Sequence, residues 1–152
     1  MVIPLNKLEL SLELLLQTAL SMFYHNDSYL LDIKCNERSC VFRFAFYFQT
    51  LLNMHKGYRE YDLEIEYNRN DSDPKRNNSN DNIYPDVILH RRGTKDCNLL
   101  VIEFKGYWNR NGQNEDYNKI SEMINTNGPL KYKKGYLVLL GLNDFEIKKV
   151  IQ

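Results

Sequence analysis

Cysteine is scarce in this 152-residue chain, and what is missing around it narrows the chemistry. Cys35, Cys40 and Cys97 are odd in number and form no CxxC pair, and no histidine stands at zinc-ligand spacing from them. Reduced thiols are expected, and neither a disulfide framework nor a zinc module. An excess of one charge is also missing, since 20 Lys and Arg face 20 Asp and Glu. Proteins that coat nucleic acid nonspecifically carry a large positive excess, so any such contact here must rest on local patches. Two are visible: His90-Arg91-Arg92 with Lys95, and Lys131 with Lys133 and Lys134. Long apolar runs are absent too. Lys7, Glu9 and Glu13 interrupt the leucine-rich beginning before it reaches the roughly 18 residues that a membrane span needs. That beginning has no basic n-region and no small-residue cleavage site, so a signal peptide is not expected and a cytoplasmic location is. No internal repeat is present.

What remains is an ordinary globular composition. The chain is 43% hydrophobic and 26% charged, enough apolar residue for a core and too little charge bias for disorder. A chain of this length buries roughly 68–70% of its unfolded surface, which predicts one domain over residues 1–152. Leu5, Leu8, Leu12, Leu15, Leu16, Ala19, Leu20 and Phe23 recur at helical spacing and predict an amphipathic helix over 5–24. The turn signal HNDS and a short apolar connector at 29–33 follow. Asn36 is a good N-cap with Glu37 in the first turn, so a second helix is expected to about Met54. Its run CVFRFAFYFQTLL is apolar nearly all round, which predicts an interior helix. The lone Arg43 within it is expected to pair with a buried carboxylate or carbonyl.

Strand periodicity takes over at YDLEIEY, residues 61–67. Asp62, Glu64 and Glu66 alternate with Leu63, Ile65 and Tyr67, as a half-buried strand near a sheet edge would, with the acids as its solvated face. Glu66 could approach a site at the strand's end. Residues 68–82 lack apolar side chains and predict a long mobile loop inside the domain. Residues 83–91 and 99–105 read as an antiparallel hairpin around RGTKDCN. A helix with Ile120, Met123 and Ile124 as its apolar face is expected over 113–125, with Asp116 and Lys119 read as solvated surface and, as the alternative, as support for or contact with substrate. The run YLVLL at 136–140 predicts a strand buried on both faces, central or parallel, and NDFEIKKVIQ a short closing helix capped by Asn143. The expected class is α/β, a mixed central sheet flanked by helices. Helices at 5–54 precede a core sheet and helix at 60–142.

Within that framework three charges stand on strands that should be plain sheet core. Glu103 and Lys105 are two apart and share a face, while Ile102 and Phe104 point to the other. Antiparallel pairing would bring Asp86, at the start of the neighbouring strand, beside the end of theirs. Two carboxylates and an ammonium group at one sheet end suit a hard divalent cation such as Mg²⁺, which takes one or two carboxylates and keeps several waters. The plainer alternative is a solvent-facing salt bridge, though an exposed pair contributes only about 0–1 kcal/mol and needs no apolar run to carry it. For Glu37 a helix first turn is explanation enough. His25, His55 and His90 lack partners at catalytic spacing.

Pro85-Asp86, then sixteen residues, then Glu103-Phe104-Lys105 resembles the P-D…(D/E)-x-K motif of the restriction-endonuclease-like nuclease superfamily. Its shared core runs helix, three strands, helix, strand: αβββαβ. The runs ERS, YNR, PDVILHRRG and LLVIEFK are similar to those of a branch of small bacterial members, and Gln113 with Tyr117 resembles the Q-x-x-x-Y element of the RecB-like branch. The resemblance implies phosphodiester hydrolysis in DNA. Asp86 and Glu103 would bind Mg²⁺ or Mn²⁺, Glu37 would complete the site, and Lys105 would assist the attacking water. Arg91, Arg92 and Lys95, with the 68–82 loop, are the expected phosphate contacts, and a homodimer or a targeting partner protein is left open. The alternative is the same fold serving as a binding or interaction module with little or no catalysis. The zero net charge and the absence of a DNA-reading helix support that alternative.

Overall fold

The computed structural model describes residues 5–152, with side chains from Leu12 onward, so Leu5 and Leu8 of the leucine stripe lie outside the described side chains. Helix α1 covers Leu5–Asp27, α2 Tyr29–Asp32 and α3 Glu37–Asn53, and a single 3-10 turn at Lys56–Tyr58 leads into the sheet. The strands are β1 Asp62–Ile65, β2 Val87–His90, β3 Leu100–Gly106, β4 Lys134–Leu140 and β5 Phe145–Lys149, with α4 at Gln113–Ile124 between β3 and β4. The strands lie side by side in chain order. Only the β3/β4 pair is parallel, the connection that α4 crosses, and every other neighbour is antiparallel. The protein is therefore α/β, a mixed five-stranded sheet flanked by helices.

Alternation along the strands divides the core in two. Leu100, Ile102 and Phe104 of β3, with Val87 and Leu89 of β2, meet Leu16, Leu20 and Phe23 of α1 and Phe44 and Phe48 of α3. On the opposite face Val101, Ile88, Leu137 and Leu139 meet Ile120, Met123 and Ile124 of α4. Glu103 and Lys105 have the parity of Val101, so they belong to the α4 face. That helix seats closely because of Gly135: a Cβ there would come within 2.3 Å of Ile120 Cγ2, so any side chain would push α4 off the sheet. Helix α3 starts where Asn36 caps it, its side chain accepting from Arg38 N–H at 2.9 Å. Arg43 finds the expected carboxylate, donating from Nε to Asp27 Oδ1 at 3.2 Å, with Tyr47 beside both. The three cysteines are free.

Five expectations give way. The closing helix is strand β5, because the open edge of β4 takes a partner whose Phe145 and Ile147 alternate onto the core opposite Leu140 and Val138. Asn143 lies in the turn before it, not at a helix cap. The connector at 29–33 winds into the short helix α2. Helix α3 is not buried all round: Phe42 and Phe46 are 55% and 54% exposed, because only one side of the helix meets α1 and the sheet. Residues 68–82 do not form a free loop. Asn68 and Lys75 are buried, the Asn68 amide donates to the carbonyls of Lys75 at 3.0 Å and Ile83 at 2.5 Å, and the Lys75 ammonium bonds the Arg69 carbonyl and lies 4.8 Å from the Tyr67 ring centre. Polar residues here supply buried backbone groups with partners that apolar ones could not. Edge strand β1 is where alternation predicts it, yet Glu64 is no solvated acid, since it bonds the buried His90 ring and, at 2.8 Å, Arg92. Among the described residues no helix is long and apolar enough to cross a membrane.

Candidate functional site

The register of β2 on β3 pairs Val87 with Ile102, and so sets Asp86, one residue earlier, against Glu103 and Phe104, one and two residues later. The contacts interlock. Phe104 N–H donates to Asp86 Oδ2 at 2.8 Å, while Asp86 N–H reaches Glu103 Oε1 at 3.3 Å. Glu103 is only 3% exposed. Burial first, and then the neighbouring Asp86 carboxylate, push its carboxyl up to about 8, against the opposing pull of Lys119. Burial likewise raises Asp86 above the usual carboxylate range, although the Phe104 N–H bond works the other way.

Two lysines attend this pair, both tied to α4. Lys119 Nζ lies 2.7 Å from Glu103 Oε1 and donates to the Tyr84 carbonyl at 3.2 Å. Lys105 Nζ lies 3.1 Å from Asp116 Oδ2. Desolvation pulls the Lys105 ammonium down, but the hydrogen bond and charge of Asp116, with Glu37 and Asp86 beyond it, outweigh this and hold its pKa above the ordinary lysine value. Lys105 is therefore an ammonium donor at neutral pH and not a base.

Beside the pair opens a cleft of about 580 Å³, lined by Asn36, Glu37 and Val41 of the α3 region, Ile65 and Glu66 of the β1 end, Asp86, and Trp108 and Asn109 after β3. Glu37 borders it opposite Asp86, but its Oε1 already accepts from Gly106 N–H at 3.2 Å and Asn109 Nδ2 at 2.9 Å. Glu66 approaches the same cleft and holds Arg38 at 2.9 Å.

The expected residues thus divide. Asp86, Glu103 and Lys105 stand at one sheet end with Glu37 near them. Arg91, Arg92 and Lys95 do not: they lie in the β2–β3 turn, beyond the other end of the four-residue strand β2, about 16 Å from Asp86 at the start of that turn. There they meet acids, Arg92 with Glu64 and Asp62, Arg91 with Glu60 at 3.9 Å, and Lys95 with Asp73 at 3.6 Å. The residues read as solvated surface are the surprise. Asp116 lies one helical turn before the buried Ile120, in register with the α4 core stripe, and that register was the available signal. Trp108 and Asn109 had no periodicity to mark them.

Among the described residues no three His, Cys, Asp or Glu side chains converge as a metal-holding group. Asp86 and Glu103 are the two that could hold a divalent cation together. One buried and one half-buried carboxylate that repel each other fit Mg²⁺ retaining most of its waters, and do not fit a cation caged wholly by protein. In comparisons with known proteins, no family model, no curated protein and no solved structure matches the chain.

Proposed function

We propose that this chain is a metal-dependent nuclease of the restriction-endonuclease-like type, hydrolysing phosphodiester bonds in DNA. The observation that carries the reading is the interlocked pair of Asp86 and Glu103 across β2 and β3, with Lys105 two residues on and fixed by Asp116. Support also comes from the element order α3, β1, β2, β3, α4, β4, which is the helix, three strands, helix and strand of that superfamily's core. Asp86 and Glu103 would hold Mg²⁺ or Mn²⁺, which when bound polarises a phosphoryl oxygen and makes a water a better nucleophile. Lys105, kept protonated by Asp116, donates to the attacking water or to the charge that develops on phosphate. Asp116 positions Lys105, and Lys119 neutralises Glu103. Glu37 steadies the backbone just after Lys105 through Gly106 N–H.

A second reading, a nuclease-like fold that only binds, is favoured by Lys119 already filling one Glu103 oxygen and by the basic turn lying at the far sheet end. Cleavage assays separate the two. Plasmid, linear duplex, single-stranded DNA and RNA are incubated with Mg²⁺, Mn²⁺ or EDTA, beside Asp86→Ala and Lys105→Ala. The nuclease reading expects metal-dependent cleavage lowered by roughly 10² or more in each variant. Wild-type protein that cuts nothing, or cutting that survives both substitutions, ends it.

A further inference from the structure

The cleft beside Asp86 has an aromatic wall seated on the β3 backbone. Three consecutive atoms of the Trp108 six-membered ring, Cε2, Cζ2 and Cη2, all lie 2.7 Å from the position a Cβ would take on Gly106. Only a point over the ring face is equidistant from all three, so one face of the indole is seated on the β3 backbone, and any residue but glycine at 106 would unseat it. Tyr107 meets the same ring edge-on, 5.2 Å between centres. The indole is thus fixed before any ligand arrives, and it lines the cleft with Val41 and Ile65 as apolar walls.

Charge decides what such a cleft can accept. Its carboxylates are Glu37, Glu66 and Asp86, and its one cation, Arg38, is already held by Glu66. Away from a cation on Asp86, a phosphate inside the cleft would be repelled, whereas a neutral, flat, hydrogen-bonding ring would not. Asn36 spends its carbonyl oxygen on Arg38 N–H and Asn109 its amide nitrogen on Glu37, which leaves one NH₂ donor and one carbonyl acceptor for the edge of such a ring. The volume, about 580 Å³, is within the range of small-molecule pockets.

We propose that this cleft is a subsite for an unpaired nucleobase stacked on Trp108, so that the chain engages single-stranded or frayed nucleic acid in preference to intact duplex. The inference rests on the nuclease reading for its choice of ligand and deepens it. A paired base would first have to leave its stack to enter the cleft, whereas an unpaired one need not. Because Asp86 lines the cleft and touches Glu103, a base held there sets its own backbone beside the carboxylate pair.

Trp108 is the only tryptophan of the chain, so its emission, excited where tyrosine does not absorb, reports this cleft alone. The full chain is titrated in EDTA with a short single-stranded DNA, the RNA of the same sequence and the corresponding blunt duplex. Saturable quenching by a single strand, at least about tenfold tighter than by duplex, supports the subsite, and the arm that quenches identifies the sugar accepted. By anisotropy of a labelled strand, Trp108→Ala is expected to weaken binding about tenfold, with Trp108→Phe restoring most of it. Ile65→Asp, on an exposed wall, weakens it without touching the indole. Equal quenching by duplex, no quenching, or unchanged binding in folded Trp108→Ala overturns the subsite. Cleavage with unquenched Trp108 removes the subsite and leaves the nuclease reading. Quenching by single strands in a protein that cleaves nothing with Mg²⁺ or Mn²⁺ removes the nuclease reading and leaves the subsite.

Discussion

Lys119 Nζ stands 2.7 Å from Glu103 Oε1, an ion pair between α4 and β3 in which the carboxylate is almost wholly buried. Among the described residues it is the one direct cation on a pair of acids that would otherwise repel each other in a medium of low dielectric. Its removal should be felt most where Glu103 is ionised.

Lys119→Met is expected to lower unfolding free energy by about 2 kcal/mol at alkaline pH, less than for a fully buried pair because Lys119 is partly exposed. At acidic pH, with Glu103 protonated in either protein, the difference should shrink. Urea denaturation at the two pH values checks both parts. An equal loss at both would mean that Lys119 acts by packing alone.

Glu103 itself should set an alkaline limit on the metal-free protein. Its carboxyl is raised from 4.5 to about 8 in the fold, so the folded state keeps a proton that the unfolded chain releases. The stabilisation is fully present below pH 4.5 and is lost as pH rises through about 8. The full effect is on the order of 5 kcal/mol, from about 1.36 kcal/mol for each pKa unit. Glu103→Gln should flatten this slope and unfold later than wild type at high pH, while losing the cleavage proposed above. Melting curves in EDTA across the pH range provide the test.

His90 should act in the opposite sense. Burial lowers its pKa below 6.5 despite the hydrogen bond and charge of Glu64. Its contribution is present above pH 6.5 and is lost as pH falls through the lower folded value. In a proton NMR titration the His90 ring is expected to titrate below the ordinary histidine value of 6.5. Titration of that ring at 6.5 or above would mean that it is not buried beside Glu64.

The polar segment 68–82 should resist trypsin although it carries Arg69, Lys75 and Arg76. Asn68→Ala takes the amide partner from the Ile83 carbonyl and leaves the Lys75 carbonyl with the Ile83 N–H alone, at a cost of about 2 kcal/mol, and should open the segment to cutting. Rapid wild-type cleavage after Lys75 itself would contradict its burial.

Arg91→Ala with Lys95→Ala should leave DNA binding and cleavage unchanged, because both residues lie at the sheet end away from Asp86 and face Glu60 and Asp73. A clear rise in KM would place substrate across the β2–β3 turn instead.

Much of the architecture could be read from periodicity. The alternation of Ile102 and Phe104 against Glu103 and Lys105 predicts their two faces, and the doubly apolar YLVLL predicts a strand enclosed on both sides, which β4 is. The FEIKK run failed as a helix because five residues with two apolar ones fit either period, and only the unpaired edge of β4 chooses between them. Segment 68–82 misled for a related reason: composition reports that side chains are polar, not that Asn68 will find the carbonyls of Lys75 and Ile83.

The sequence by itself determined the alternation of each strand, the caps and turns that bound the helices, and the presence of an acid pair and a lysine on two neighbouring strands, since these depend on residues a few positions apart. Only the tertiary structure decided that α4 closes over that pair, that Lys119 and Asp116 take up Glu103 and Lys105, that the basic turn faces away, and that Trp108 lies flat on Gly106. These contacts depend on how helices seat on a sheet, and that is governed by the shape of the space between them, such as the gap that Gly135 leaves for Ile120, which no local pattern encodes.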